Sequence, residues 1–339
     1  MTTFYYTHNE IDIPIEGYLD DLSFPSQSCF ASFKALVKRN AFFHLSFASC
    51  LLFELIVLIF TVSRTTFTAV MIATTVVTFF SYLLMYLYLR NKQEEDLQKL
   101  CDRFMQEAEK PVPSHFEPAK QIFYLAEAAY AFVPLLNNEK SYRISIPPFR
   151  FYQSHIVRCI LQLYSRAILR FEEMILLALV RRHIEVLPQD PLNVDVHTSL
   201  ATLYIYIAKL YPQTIESKKN LPRSRSAREI LHRQKEKCLS LAIEELRIVD
   251  DLSPNNPWIH MQLAFAYHAL GQSQEEVKEY EILRSLNGDD TTILFTLGRL
   301  YFNLGKNAKG LEIYSSLKSC DTKKADELMA YYHHQKLSV

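Results

Sequence analysis

A chain of 339 residues exceeds one ordinary domain and leaves room for two or three folded units. Its 37 basic and 37 acidic side chains cancel, which removes any general pull toward nucleic acid or anionic surfaces. Only 6 glycines are present, too few for sheet-and-turn architectures or phosphate loops, and this composition suits helices joined by short turns. The cysteines, Cys29, Cys50, Cys101, Cys159, Cys238 and Cys320, are scattered singly, with neither a CxxC pair nor zinc spacing; they read as packing thiols of a reducing compartment.

Residues 1–40 form a polar or mixed N-terminal segment without a signal-peptide pattern. From Ala41 to Val62 runs an apolar stretch of bilayer-spanning length whose only ionisable residues are His44 and Glu54. A second, from Phe67 to Leu89, has no charged residue, and only Ser63, Arg64, Thr65 and Thr66 separate the two. So short a link forces a hairpin, residues 41–89, and puts residues 1–40 and 90–339 on one side. Lys34, Lys38 and Arg39 before the first span, and Arg90 and Lys92 after the second, outweigh Arg64 in the turn. The positive-inside bias therefore predicts a two-pass membrane segment with both termini cytoplasmic and membrane lipids as neighbours.

Glu54 lies near mid-span, where an ionised carboxylate is costly. In a hairpin centred on the turn it stands level with positions 74–76, so Thr74, Thr75 and Thr78 are expected as hydrogen-bond partners that lock the two helices. A transporter-associated role for Glu54 is the alternative, although one carboxyl on two helices builds no pathway.

Residues 90–187 read as a helical connector domain. A charged helix covers Asn91 to Lys110 and ends at Pro111 and Pro113; a second runs from Pro118 to about Val133. After a loop with Pro147 and Pro148, an apolar-periodic helix or helix pair extends from about Phe151 to Leu187.

The strongest signal is a recurrence of 34 residues near the C-terminus. Leu263, Ala264, Tyr267 and Gly271 fall on Leu297, Gly298, Tyr301 and Gly305, and Tyr280 and Leu283 fall on Tyr314 and Leu317. Upstream, Ala242, Leu246, Val249, Leu252 and Pro254 fit the second helix of another unit. Leu200, Ala201 and Tyr204 fit its first helix, with an insertion at 212–237 between the halves. Period and residue types resemble the tetratricopeptide repeat. That resemblance implies a repeat domain over 188–339 in which stacked helix pairs bury a continuous core, closed by a capping helix from about Asp321 to Leu337. Departures are Glu276 and Gly310 at the usual small position of the second helix, and His260 and Leu294 at the usual aromatic position of the first. The fold class is therefore all-α, a two-helix transmembrane hairpin plus an α-solenoid.

In that family the first helix of each repeat lines a groove. Carried across, its positions are Trp258, Met261, Phe265 and His268, then Thr292, Phe295, Arg299, Phe302 and Asn303. The Lys and Asn residues with which some members grip acidic chaperone tails are largely missing, so the expected partner is a protein offering a hydrophobic or helical peptide segment. The alternative is that these aromatics pack against the chain's own last helix or the inserted segment. The insertion carries Lys218, Lys219, Arg223, Arg225, Arg228, Arg233, Lys235 and Lys237. It is read either as a solvated loop leading into a charged helix or as a contact to an anionic leaflet. Without interleaved aromatics it does not fit nucleic acid.

No catalytic motif occurs: there is no HExxH, GxSxG, P-loop or GxGxxG, and the histidines are single apart from His333-His334, whose neighbours face different sides of a helix. No enzyme activity, cofactor, metal or small-molecule substrate is expected. The leading function is a membrane-anchored scaffold or adaptor binding protein partners on the cytoplasmic side. The tight hairpin also resembles the bilobed motif of chlamydial inclusion-membrane proteins, which implies, as the alternative, a secreted bacterial protein in a vacuole membrane showing its repeats to a host cytosol.

Overall fold

The computed structural model describes residues 15–61, 65–113, 115–136, 153–211, 225–288 and 290–337. The first fourteen residues, the turn at Ser63 and Arg64, the loop with Pro147 and Pro148, and residues 212–224 of the insertion, with Lys218, Lys219 and Arg223, lie outside them. Among the described residues the chain is all-helical, with eleven helices and no strand. It divides into two compact units, residues 1–182 and 183–339.

In the first unit, α1 (Ile15–Thr61) and α2 (Thr65–Glu109) are continuous helices of 47 and 45 residues that pack antiparallel. Both are long and apolar enough to cross a membrane. Over 42–60 and 67–88 their outward side chains are uncovered: Phe53, Phe60, Val77 and Leu84 are each at least 64% exposed. The seam between them carries the polar groups. Thr78 Oγ1 donates to Glu54 Oε1 at 2.6 Å, and His44 Nδ1 lies 3.1 Å from Tyr82 Oη. Of the three threonines expected opposite Glu54, Thr78 faces it, whereas Thr74 and Thr75 each donate to the Met71 carbonyl one turn back. Glu54 Oε2 is buried without a hydrogen-bond partner.

The polar halves of α1 and α2 join α3 (Pro118–Leu136) and α4 (Gln153–Val186) around a shared core. Each helix supplies one fully buried phenyl ring. Phe33 stacks on Phe171 with centroids 5.1 Å apart, Phe104 on Phe132 at 4.6 Å, and Phe132 meets Phe171 edge-on at 6.2 Å. The same core holds Cys29 and Cys101, whose thiols burial pushes up to about 12, a packing environment that leaves them unreactive. Ion pairs on the rim tie α2 to its neighbours, Arg39 to Asp96 at 2.6 Å, Arg170 to Glu94 at 3.1 Å and Arg182 to Glu109 at 2.7 Å. α1 and α2 run without a break through positions 40/41 and 89/90.

In the second unit the helices pair in chain order: α5 (Val194–Leu210) with α6 (Arg225–Leu252), α7 (Pro257–Leu270) with α8 (Ser273–Asn287), α9 (Thr291–Asn303) with α10 (Asn307–Cys320), then α11 (Thr322–Leu337). α7 and α9 begin 34 residues apart, as do α8 and α10. The local chemistry that starts and stops them recurs at the same step. Asn256 and Asp290 accept from Trp258 and Thr292 N–H at 3.0 and 2.7 Å. Gly271 and Gly305 end α7 and α9 at φ 72° and 71°, a left-handed conformation that favours glycine, and the residues after them, Gln272 and Lys306, each donate at 2.9 Å to the carbonyls of Tyr267 and Tyr301. α11 packs on α9 and α10 as the first helix of a further pair would, and Asp321 caps it by accepting from Lys324 N–H at 3.1 Å.

Two glycines make this packing possible. A Cβ on Gly298 would sit 2.6 Å from Leu328 Cδ2 of α11, and one on Gly310 would enter the ring of Phe302. Gly310→Ala is therefore expected to lower the stability of α9–α11 by about 1–3 kcal/mol, the usual cost of overpacking. Adding Phe302→Leu should recover part of that loss. Hydrogen exchange across the three helices measures both, and unchanged protection in the single variant would contradict this packing.

Candidate functional site

The first helices of the pairs are α5, α7 and α9, and α11 packs on α9 as the first helix of a further pair would. On α7, Met261, Phe265 and His268 lie at i, i+4 and i+7 and so share a stripe, and α9 repeats it with Phe295, Arg299 and Phe302. The two stripes differ in what covers them. Met261 is 40% exposed, and Trp258 and Phe265 are half-buried. His268 is exposed, with Nδ1 held 3.0 Å from Oε1 of Glu276. Phe302 is 3% exposed, its ring 4.4 Å from that of Tyr332 on α11. Tyr331 Oη donates to Asn303 Oδ1 at 2.5 Å, and Lys324 Nζ donates to the hydroxyls of Thr291 and Thr292 at 2.7 and 3.3 Å. The structure thus brings Trp258, Met261, Phe265 and His268 together on an accessible face. On α9 the last helix engages Arg299, Phe302 and Asn303.

Sequence reasoning missed three residues of this face, Tyr206, Lys209 and Tyr331. Lys209 Nζ stands 4.7 Å from the Phe265 ring centroid and 5.5 Å from that of Tyr206. Arg299 Cζ lies 4.7 Å from the Tyr331 centroid and 5.8 Å from that of Phe295. Burial lowers the pKa of Lys209 from its ordinary value. The available signal was that Lys209 is the sole lysine or arginine of α5, one turn beyond Tyr206.

Behind the face, the second-helix departures acquire a physical account. Glu276 and Gly310 are equivalent positions 34 apart, as are His268 and Phe302. In one repeat a carboxylate lies under an imidazole; in the next a glycine makes room for a phenyl ring. The first-helix departures follow the same logic. His260 Nδ1 lies 2.8 Å from Glu279 Oε2 and its Nε2 3.5 Å from Asp250 Oδ1. His197, at the matching place in α5, lies 2.5 Å from Glu245 Oε2, with Nε2 3.0 Å from the Pro191 carbonyl. The third repeat fills those two positions with Leu294 and Ile313, both buried. Between repeats, Arg247 Nη2 donates to Tyr267 Oη at 2.7 Å, and 34 residues on Tyr301 Oη donates to Glu281. Among the described residues no cluster of histidine, cysteine and carboxylate groups could hold a metal.

The second unit is a tetratricopeptide-like helical array. No protein-family profile matches the sequence, and no curated protein is similar to it. Solved structures that resemble it include MamA, at 16% identity over 48% of this chain and 90% of MamA, with a TM-score of 0.32. A thermophilic tetratricopeptide-repeat protein of Thermus thermophilus matches at 16% identity over 65% of this chain and 97% of its own, TM-score 0.31. A human IFIT1 dimer with PPP-AAAA matches at 16% over 74% and 70%, TM-score 0.24. The array itself rests on the recurrence of caps, turns and buried pairs at a step of 34 residues.

Burial raises the pKa of Glu276 above its ordinary 4.5, with the hydrogen bond from His268 opposing. A carboxyl raised in the folded state contributes most to stability where it is protonated, and that contribution is lost as pH rises through its folded value. Glu276→Gln cannot ionise. Whatever its constant offset, the variant should gain stability relative to wild type as pH rises from about 4 to 7. Denaturation midpoints at the two pH values test this, and parallel pH profiles would remove Glu276 as the source.

Proposed function

We propose that the chain is a membrane-anchored scaffold. In this reading the apolar halves of α1 and α2 cross the bilayer as a hairpin, and the helical array on the cytoplasmic side binds protein partners through the face of α7 and α9. The observation that carries it is the contrast within one pair of helices. Over 42–60 and 67–88 many large apolar side chains, Phe53, Phe60, Val77 and Leu84 among them, are exposed, while the polar residues Glu54, Thr78, His44 and Tyr82 meet in the seam. That inside-out arrangement suits hydrocarbon and would be unfavourable in water. A soluble monomer rarely exposes so large an apolar surface. Lys38, Arg39, Arg90 and Lys92 at one end of the pair favour cytoplasmic termini.

The array supports the partner half of the reading. Repeats of this kind present extended surfaces built from one row of helices, and the half-buried Trp258 and Phe265 with exposed Met261 offer the aromatic and sulfur-bearing contacts common at binding surfaces. The expected partner segment is hydrophobic or helical.

Alkaline carbonate extraction should leave the full-length protein in the membrane pellet; release into the supernatant would end the anchoring claim. In pull-downs, Phe265→Ala with Phe295→Ala should lose partners that wild type retains. Phe302→Ala is unsuited to this comparison, because its buried ring supports α11. Full retention of every partner by the double variant would reject the groove.

A further inference from the structure

α6 outlasts its partner. His197 of α5 lies 2.5 Å from Glu245 of α6, and counting along the antiparallel pair from that contact brings Leu210, the end of α5, level with about residue 232. The first two turns or so of α6 therefore project beyond α5. The helix is also divided in charge. Residues 225–237 hold five Arg or Lys against two Glu, whereas residues 238–252 hold four Asp or Glu against one Arg. That order opposes the helix dipole, and no acidic residue stands in the first turn, so the cations do not stabilise the helix that carries them. Nor do ion pairs explain them. Among the described residues Arg228, Arg233, Lys235 and Lys237 have no carboxylate within ion-pair distance, and Glu236 is taken by His232 at 3.2 Å. By contrast Lys99, Arg182 and Lys278, on other helices, each meet a carboxylate at 2.6–2.8 Å. Ser226, Ile230, Arg233 and Lys237 recur at i, i+4, i+7 and i+11 and are all exposed, so they form one line along the helix, with Ile230 56% uncovered. Glu229, His232 and Glu236 fall together on a separate line.

We infer that this line of α6 rests on an anionic lipid leaflet. Arg233 and Lys237 pair with the lipid headgroups, and Ile230 enters the boundary with the acyl chains. Arg228 and Lys235, on the other side of the helix, add to the attraction within a Debye length. The inference rests on the anchoring reading for the nearness of that surface and adds a second point of attachment. A tether raises the effective concentration of the leaflet, so a short basic segment suffices where a free protein would need more charge. Single-stranded nucleic acid fits less well, because residues 225–237 contain no aromatic side chain on which a base could stack and the chain as a whole has no basic excess.

The test is hydrogen exchange of the full-length protein in vesicles of phosphatidylcholine alone or of equal parts phosphatidylcholine and phosphatidylserine. Exchange over 226–237 should slow at least about fivefold in the mixed vesicles, the effect of one cation held near an anionic surface. Arg233→Gln with Lys237→Gln should abolish the slowing, as should molar salt, and Arg233→Lys, which keeps the charge, should retain it. Unchanged exchange over α7 to α10 shows that the variants fold. Equal exchange in the two vesicles, or slowing that survives in molar salt or in the double Gln variant, would overturn the inference. Anchoring is read separately by carbonate extraction. Protein stripped from both vesicles ends the anchoring claim, and slowing confined to the mixed vesicles would still support the contact of α6. Slowing by a single-stranded oligoadenylate, where phosphatidylserine has no effect, would overturn the inference in favour of nucleic acid.

Discussion

Along α1 the less exposed positions include 29, 33, 37, 40, 44, 47, 51, 54 and 58, and along α2 they include 71, 75, 78, 82, 86, 89, 93, 97, 100 and 104. Steps of three and four residues keep one face of each helix turned toward the other through the whole length of the pair. Such a seam is indifferent to what lies outside it, because its contacts and the helices' own backbone hydrogen bonds are internal. At one end the outer faces are covered by α3 and α4 around Phe33, Phe104, Phe132 and Phe171. At the other end no described residue covers them, and Phe53, Phe60 and Leu84 are exposed. On the proposed reading the same two helices serve two solvents without a break, and the hydrogen bond from Thr78 to Glu54 engages the mid-seam carboxyl. On the proposed reading, the aromatic bundle is rigidly continuous with the anchor.

The array obeys a different constraint: the geometry of a pair is kept while its chemistry changes, and it changes on both sides together. His197 with Glu245 and His260 with Glu279 become Leu294 with Ile313; His268 with Glu276 becomes Phe302 with Gly310. Exchanging one member alone would leave a buried imidazole or carboxylate without its counterpart, or a ring without room, and either is destabilising. The inter-repeat contact shows the same freedom. Tyr267 accepts from Arg247, whereas Tyr301 donates to Glu281, so a phenol hydroxyl serves a neighbour of either charge.

How much of this was legible follows from what repeats along the chain. The two apolar stretches and the 34-residue step are periodic, and the structure carries both as helices in the expected order. The extension of α1 back to Ile15 was not legible, because Cys29, Phe33, Leu36 and Val37 are spaced among polar residues in a segment whose average composition looks unstructured. The four-ring core was invisible for a related reason: its members come from four helices far apart in sequence. The exposure of the candidate face was half legible. Trp258, Met261 and Phe265 lie where their positions in the repeat place them, at an accessible surface. Phe302 occupies the position of His268 but is buried, since Gly310 opens a slot and Tyr332 closes it, and neither effect can be inferred from position alone.

Tyr332 and Tyr331 give α11 contacts to α9 that its place at the end of the stack does not suggest. A helix that only shielded the core of α9 and α10 would need Ala325 and Leu328, the latter fitting against Gly298. One turn further on, α11 also holds Asn303 through the Tyr331 hydroxyl and flanks the Arg299 guanidinium with the Tyr331 ring. The Arg299 guanidinium thereby lies between the rings of Phe295 and Tyr331, which favours this position of an exposed side chain. Lys209 stands in the same way over the rings of Tyr206 and Phe265. The open stretch of the face is thus set by where α5 and α11 place their aromatic side chains, and the number of repeats alone does not determine it.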